Sequence, residues 1–212
     1  MGSTFKNNNI LGPINSLMFK MLSGYMDHLF GKSKRELFKD HPPTVVEIGP
    51  GAGANMRYIK KGTRLIAIEP NVHMHKNLRK SADKYGVDLE IKTLVGESID
   101  LPSNSYDFVV CTLVLCTVGD PVQCIDQIKR ILRPSGRFVF IEHVKAKEKS
   151  MLAFIQNLLH KPWHWFFEGC NTNRDTKDLL EHAGFNSLHI EQYSLYSPFI
   201  PITPQIKGVA IK

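Results

Sequence analysis

Val45-Val46-Glu47-Ile48-Gly49-Pro50-Gly51-Ala52-Gly53-Ala54-Asn55, answered by Ile66-Ala67-Ile68-Glu69-Pro70-Asn71, decides the fold of this 212-residue chain. Val45, Val46 and Ile48 make a short apolar run of the kind buried on both faces of a parallel sheet. A Gly-rich turn at 49–53 leaves its end. Glycine there lets the backbone turn sharply and lets a ligand approach with no Cβ in the way. Twenty residues after Gly49, a second apolar run ends in Glu69. A carboxylate at that point can accept hydrogen bonds from both hydroxyls of a ribose, the logic of nucleotide binding at the carboxyl ends of parallel strands.

The spacing narrows the ligand. A dinucleotide site carries G-x-G-x-x-G, with a helix N-terminus aimed at a pyrophosphate. Here the pattern is Gly49-x-Gly51-x-Gly53, with Glu47 two residues before it. An acidic group beside the loop repels a diphosphate and suits a cation. S-adenosylmethionine (SAM) carries a sulfonium and an ammonium and no phosphate, and the segment resembles the first motif of the class I SAM-dependent methyltransferases, [VIL]-[LVI]-[DE]-x-G-x-G-x-G. The resemblance continues in order through Gly96-Glu97-Ser98 with Leu101-Pro102, through Tyr106-Asp107-Phe108-Val109-Val110-Cys111, and through Leu132-Arg133-Pro134-Ser135-Gly136 into Phe138–Glu142. Ser135 stands where the family has the first glycine of an L-[KR]-P-G-G turn, a departure expected to be harmless at the surface.

The resemblance implies an α/β fold: a Rossmann-like, doubly wound, mostly parallel seven-stranded sheet with helices on both faces and an antiparallel C-terminal edge hairpin. It implies a SAM site built from Glu47, Gly49, Gly51, Gly53, Asn55, Glu69, Pro70, Gly96, Glu97, Ser98, Cys111 and Thr112, with S-adenosylhomocysteine as product.

Composition is ordinary for one globular domain, 42% hydrophobic and 22% charged. The length allows one α/β domain with a substantial core, residues 41–212, preceded by a helical segment over 1–40. A net charge of +7 raises nucleic acid or acidic membranes as partners. The basic residues are scattered, however, with Lys145-Ala146-Lys147-Glu148-Lys149 the densest patch, so a solvated surface and no nucleic-acid partner are expected. Cys111, Cys116, Cys124 and Cys170 show no C-x-x-C spacing, which fits reduced thiols and no metal site. His160 and His164 are four apart, but Pro162 between them is expected to spoil a helical pair. No apolar run is long enough to span a membrane and no signal peptide is recognisable, so a cytoplasmic location is expected. Met1-Gly2 lacks the Ser or Thr at position six of a myristoylation signal, that position being Lys6. Met1-Gly2-Ser3 fits an expression scar. Oligomeric state is open.

Residues 13–38 space apolar side chains at three and four, predicting amphipathic helices broken near Gly24 or Gly31. Three readings stand: core packing, a lid over cofactor and acceptor, and shallow attachment to a membrane surface. Further helices are predicted at 53–61, 71–86, 121–132 and 174–183. Strands are predicted at 64–69, 89–95, 106–111, 137–142, 186–194 and 206–211.

Acceptor groups belong beyond the carboxyl ends of the fourth and fifth strands. Residues 112–116 there are apolar with a sulfur, and an aromatic insert at 151–172 can roof them or simply fill core. Leu115, Cys116, Trp163 and Asn171 are the candidate acceptor contacts. His143 is the candidate general base because imidazole titrates near working pH, with Glu142 as its orienting group or pointing into the helix layer. The bland alternative for His143 is a hydrogen bond to backbone.

Cys111–Cys116, Phe140–Val144, Pro162-Trp163-His164, Phe167–Asn171 and Lys34–Phe38 resemble the thiol S-methyltransferases of the methyltransferase-like 7 family over about residues 30–212. That implies methyl transfer to a small alkyl thiol, in a relative without the hydrophobic anchor that begins the animal members. The alternatives are O- or N-methylation of a small metabolite or lipid, and a SAM-binding regulator without turnover.

Overall fold

The computed structural model describes residues 5–212; the readings on Met1-Gly2-Ser3 lie outside them. Two helices, α1 (Leu11–Met21) and α2 (Ser23–Phe38), precede the sheet. There follow β1 (Thr44–Ile48), β2 (Arg64–Ile68), α3 (Val72–Tyr85), β3 (Asp88–Lys92), β4 (Tyr106–Thr112), α4 (Pro121–Ile131), β5 (Leu132–His143), α5 (Met151–Phe166), α6 (Thr176–Glu181), β6 (Ser187–Ser194) and β7 (Pro204–Ile211). The seven strands lie in the order β3-β2-β1-β4-β5-β7-β6. β1 to β5 are mutually parallel, whereas β7 runs antiparallel between β5 and β6. The expected doubly wound sheet and its antiparallel edge are present.

Alternation along the strands builds two cores. Val46, Ile48, Ile66, Ile68, Val109 and Cys111 face α4, packing on Ile125 and Ile128. Val45, Leu65, Ala67, Phe108 and Val110 face the other way, onto Leu78 of α3 and Phe38 of α2. Successive side chains of a strand point to opposite faces, and both faces are covered, which is why these runs read as continuously apolar.

Local chemistry places the helix starts. Asn71, Asp120, Ser150 and Asp175 each accept a hydrogen bond from a first-turn amide, of His73, Gln123, Ala153 and Asp178 respectively. Gly86 closes α3 in the left-handed conformation (φ 68°).

Two expectations fail on local detail, at residues 53–61 and at Pro162, and the break expected near Gly24 or Gly31 is located. Residues 53–61 are turns with a single 3-10 turn at Met56–Tyr58, because positive φ at Gly53 (86°) prevents a helix from starting there. The N-terminal helices part at Leu22, and α2 runs through both Gly24 and Gly31. A Cβ on Gly31 would lie 2.6 Å from Asp27 Oδ1, so the glycine makes room for the Asp27–Arg35 pair. Pro162 lies inside α5, which continues to Phe166. The carbonyl that proline leaves unpaired belongs to Leu158, an exposed residue, so water can satisfy it.

Ser135 takes a left-handed conformation, φ 65°, a strain of about 1–2 kcal/mol for a residue with a Cβ. Glycine costs up to about 1 kcal/mol more in chain entropy. Ser135→Gly is therefore expected to raise stability by about 0.5 kcal/mol, read as a small upward shift in the denaturant midpoint at constant m.

Candidate active site

Two cavities open beyond the carboxyl ends of β1, β2 and β4, on either side of the Gly-rich loop, and share Gly49, Gly51, Leu113 and Phe19 as walls. The larger, about 490 Å³, runs from Glu69, Pro70 and Met74 past Gly96 and Glu97 to Leu113, Val114 and Thr117. Phe19 of α1 and the stretch His164–Gly169 at the end of α5 close over it. The smaller, about 370 Å³, lies between Gly49–Asn55, α2 and α3, and includes Thr112 and Lys34.

Glu69 directly follows β2, with both carboxylate oxygens placed. Oε2 accepts from the Gly51 amide at 2.8 Å and Oε1 from the Asn71 amide at 2.9 Å. Burial pushes its carboxyl up to about 7, against those amides. Glu47, inside β1, accepts from Asn55 Nδ2 at 2.6 Å through Oε1, and Oε2 has no partner among the described residues. Burial likewise pushes Glu47 up to about 7, opposed by Asn55 and by the Lys34 ammonium. Lys34 is itself buried over the rings of Phe30 and Tyr58, at 5.8 and 5.7 Å, and burial lowers it to about 8. Lys34 belongs to the Lys34–Phe38 string of the family resemblance but was not among the candidate site residues.

These features fit SAM. An unpartnered carboxylate oxygen on Glu47 suits a cation. Gly51 has no atom within 4 Å of where its Cβ would stand, leaving room against the main chain. Asn55 joins Glu47 to Thr112 Oγ1 at 2.9 Å, tying the first and fourth strands at the site. Glu97 accepts from the amides of Gly119 and Asp120, at 2.8 and 3.2 Å, and lines the larger cavity. Of the remaining cofactor candidates, Ser98 points to solvent and Cys111 is in the core, donating to Glu142.

Two raised carboxyls set a pH dependence. The folded chain holds protons on Glu47 and Glu69 up to about pH 7 that the unfolded chain releases near 4.5. Stability of the unliganded protein therefore falls as pH rises from about 4.5 through 7. Affinity for a cationic ligand rises over pH 6–8, as ionisation creates the charge that attracts it. Calorimetry across that range checks both signs.

The acceptor side is arranged differently from the sequence reading. Glu142 is fully buried and accepts from the Val114 and Leu115 amides, at 2.9 and 3.1 Å, not from His143. It shapes the loop after β4. His143 is 2% exposed, lines neither cavity, and has Nε2 at 3.1 Å from Cys170 Sγ. Leu115 and Cys116 are buried behind the cavity wall. Trp163 donates to Cys170 Sγ, and Asn171 donates to the carbonyls of Cys116 and Gly169. The residues that do reach the cavity are their neighbours: Leu113, Val114, Thr117, His164, Phe167 and Glu168.

Glu168 was not foreseen. Its φ is 47°, and its Oε2 accepts from Asn15 Nδ2 of α1 and Asn71 Nδ2 at the start of α3, each at 3.1 Å. Asn15 also donates to the Phe166 carbonyl, and Phe19 stacks on Phe167 with centroids 6.4 Å apart. A strained residue thus joins α1, the end of α5 and the start of α3. No spacing rule couples positions 15, 71 and 168.

A doubly wound sheet in this strand order, with acidic residues directly after β2 and beside the glycine loop, defines a class I SAM-dependent methyltransferase, and the methyltransferase-domain family matches residues 46–140. A SAM-dependent methyltransferase of Thermotoga maritima, described as a possible histamine N-methyltransferase, superposes with a TM-score of 0.66 at 19% identity, over 95% of this chain and 98% of that one. Human thiol S-methyltransferase TMT1A is 35% identical over 190 residues, 84% of this chain and 78% of that protein. Rat thiol S-methyltransferase TMT1B is 30% identical over 206 residues, 96% of this chain and 84% of that one. The chain belongs to the family of these TMT1 methyltransferases and is an enzyme that uses SAM. No helix among the described residues is long and apolar enough to cross a membrane.

Proposed function

We propose that the chain methylates a small, largely apolar alkyl thiol held at the Leu113–Thr117 end of the larger cavity. The observation that carries this reading is the chemistry of that end: Phe19, Leu113, Val114 and Phe167 line it, and the imidazole of His143 lies behind the wall. An acceptor there must bring its own nucleophile. A thiol needs the least help, since a few per cent, to order of magnitude, is already thiolate at neutral pH. The thiol S-methyltransferases among its relatives support the same acceptor.

When bound, SAM supplies an electrophilic methyl group on a sulfonium. The chain's own task would be to hold an acceptor sulfur in line with that methyl group. Positioning supplies most of the acceleration in such an in-line displacement. Glu69 would hold the ribose hydroxyls and Glu97 would face the base, while Glu47, buried behind the glycine loop, would supply negative charge toward the cationic end. Phe19 and Phe167 exclude water above the acceptor, with the helices of residues 11–38 acting as roof. His143 and Glu142 serve as wall supports, and the thiol reaches its thiolate by its own ionisation.

The test is S-adenosylhomocysteine production from SAM with a small alkyl thiol, a catechol and an amine. Turnover with the thiol alone is expected, with kcat/KM rising as pH approaches thiol ionisation. Turnover confined to the amine or catechol overturns the acceptor assignment. SAM binding with no product from any of them removes the small-molecule reading.

A further inference from the structure

Three segments far apart in the chain converge behind the acceptor end of the cavity. Cys116 lies in the loop after β4, His143 is the last residue of β5, and Cys170 follows the turn that ends α5. Their ligand atoms all lie within 4.8 Å of one another, and all three residues are buried. We propose that Cys116, His143 and Cys170 bind one thiophilic divalent cation of the zinc class, with three protein ligands and a fourth position left to an exogenous ligand.

Distances favour a metal over a disulfide. The two sulfurs are 3.7 Å apart. Tetrahedral zinc with bonds of about 2.3 Å holds two sulfurs about 3.8 Å apart, whereas a disulfide needs about 2.05 Å. The same geometry asks for about 3.6 Å between sulfur and imidazole nitrogen, so the ring at 3.1 Å from Cys170 has only to withdraw slightly. Two thiolates and one neutral imidazole also match the preference of zinc for sulfur and nitrogen.

The frame is braced before any ion arrives. Asn171 donates to the Cys116 carbonyl through both its amide N–H, at 2.9 Å, and its side chain, at 3.0 Å. Arg174 donates to the Leu115 and Val118 carbonyls, each at 2.6 Å, and fixes the same loop. Trp163 Nε1 donates to Cys170 Sγ at 3.4 Å, the kind of outer bond that steadies a metal-bound thiolate. His143 Nδ1 is buried without a partner among the described residues. A metal on Nε2 places the ring proton on that atom with nothing to receive it. Binding is therefore expected to be weaker than in a site with a complete outer shell, by about ten- to a hundredfold. Thr117 and Gly169, chain neighbours of the two cysteines, line the cavity, so occupancy would stiffen the wall under the acceptor.

The experiment is a titration of the full chain, reduced, stripped with a chelator and kept anaerobic, with cobalt(II). A thiolate-to-cobalt charge-transfer band and tetrahedral visible bands should saturate at one equivalent and disappear on adding zinc(II). Cys116→Ser and Cys170→Ser should each lose charge-transfer intensity, and Cys124→Ser should keep all of it. No saturable band, or a band undiminished in the Cys116→Ser/Cys170→Ser double variant, overturns the proposal. Should the serine variants fail to fold, the wild type still decides. Zinc(II) should slow chemical modification of Cys116 and Cys170, mapped by mass spectrometry, by about tenfold or more, leaving Cys124 unaffected. Unchanged rates at Cys116 and Cys170 refute the site.

Discussion

Glu69→Gln is expected to weaken SAM binding by about a hundredfold or more while the protein stays folded. Glutamine keeps the volume but removes the charge. It also leaves one of the Gly51 and Asn71 amides, now both bonded to carboxylate oxygens, facing an NH2 group. The proposed bonds from two ribose hydroxyls to the carboxylate, at about 1.5–3 kcal/mol each, set that scale. Stability should move the other way. Burial holds the Glu69 carboxyl at about 7, so ionising it costs the folded state at pH 8. The amide carries no such cost. The variant should therefore unfold at a temperature equal to or above that of the wild type at pH 8, yet titrate with little heat. A variant that binds SAM with wild-type affinity would remove Glu69 from the cofactor site. A variant that is simply unfolded would show that the residue holds the loop and not the ligand.

The second large effect is on the fold. Gly208 sits in the middle of β7, between β5 and β6. A Cβ there would lie 2.1 Å from the His189 carbonyl oxygen and 2.6 Å from the Phe140 ring. The first contact is backbone of a paired strand and cannot retreat without opening the ladder. Gly208→Ala is expected to cost about 3 kcal/mol, or about 6–12 °C in Tm for a chain of this size. Gly24, inside α2 with nothing within 4 Å of its Cβ position, is the internal control. Gly24→Ala should stabilise by about 0.5–1 kcal/mol. Equal effects from the two changes would show that the crowding at Gly208 is not real.

The candidate cofactor half of the site was legible because its residues are local. Glu47, the glycines and Asn55 lie on one strand and its turn, and Glu69 directly follows the next strand; hydrophobic period and turn chemistry place all of them. The prediction of a helix over 53–61 failed because positive φ at Gly53 overrides the helical spacing that follows it. The parting of α1 and α2 at Leu22 falls two residues from Gly24, one of the two expected breaks, whereas Gly31 lies mid-helix beside the Asp27–Arg35 pair.

The candidate acceptor half was less legible. His143 and Glu142 stand at a strand end, which identified them as site residues. Which face of the sheet each side chain takes depends on β5 and on what packs against it. Glu142 is used by the Val114 and Leu115 amides, and His143 by a cysteine 27 positions away. The Asn15–Asn71–Glu168 junction and the Cys116–His143–Cys170 cluster have no sequence signature at all, because each draws single residues from three separate segments.

The sequence by itself determined the doubly wound sheet, the cofactor and the family, since period, glycine placement and the two acidic residues are properties of neighbours along the chain. Only the tertiary structure decided which side chains line the larger cavity and which stand behind its wall. That choice rests on packing between elements distant in sequence, where burial and hydrogen-bond satisfaction, not spacing, select the partners.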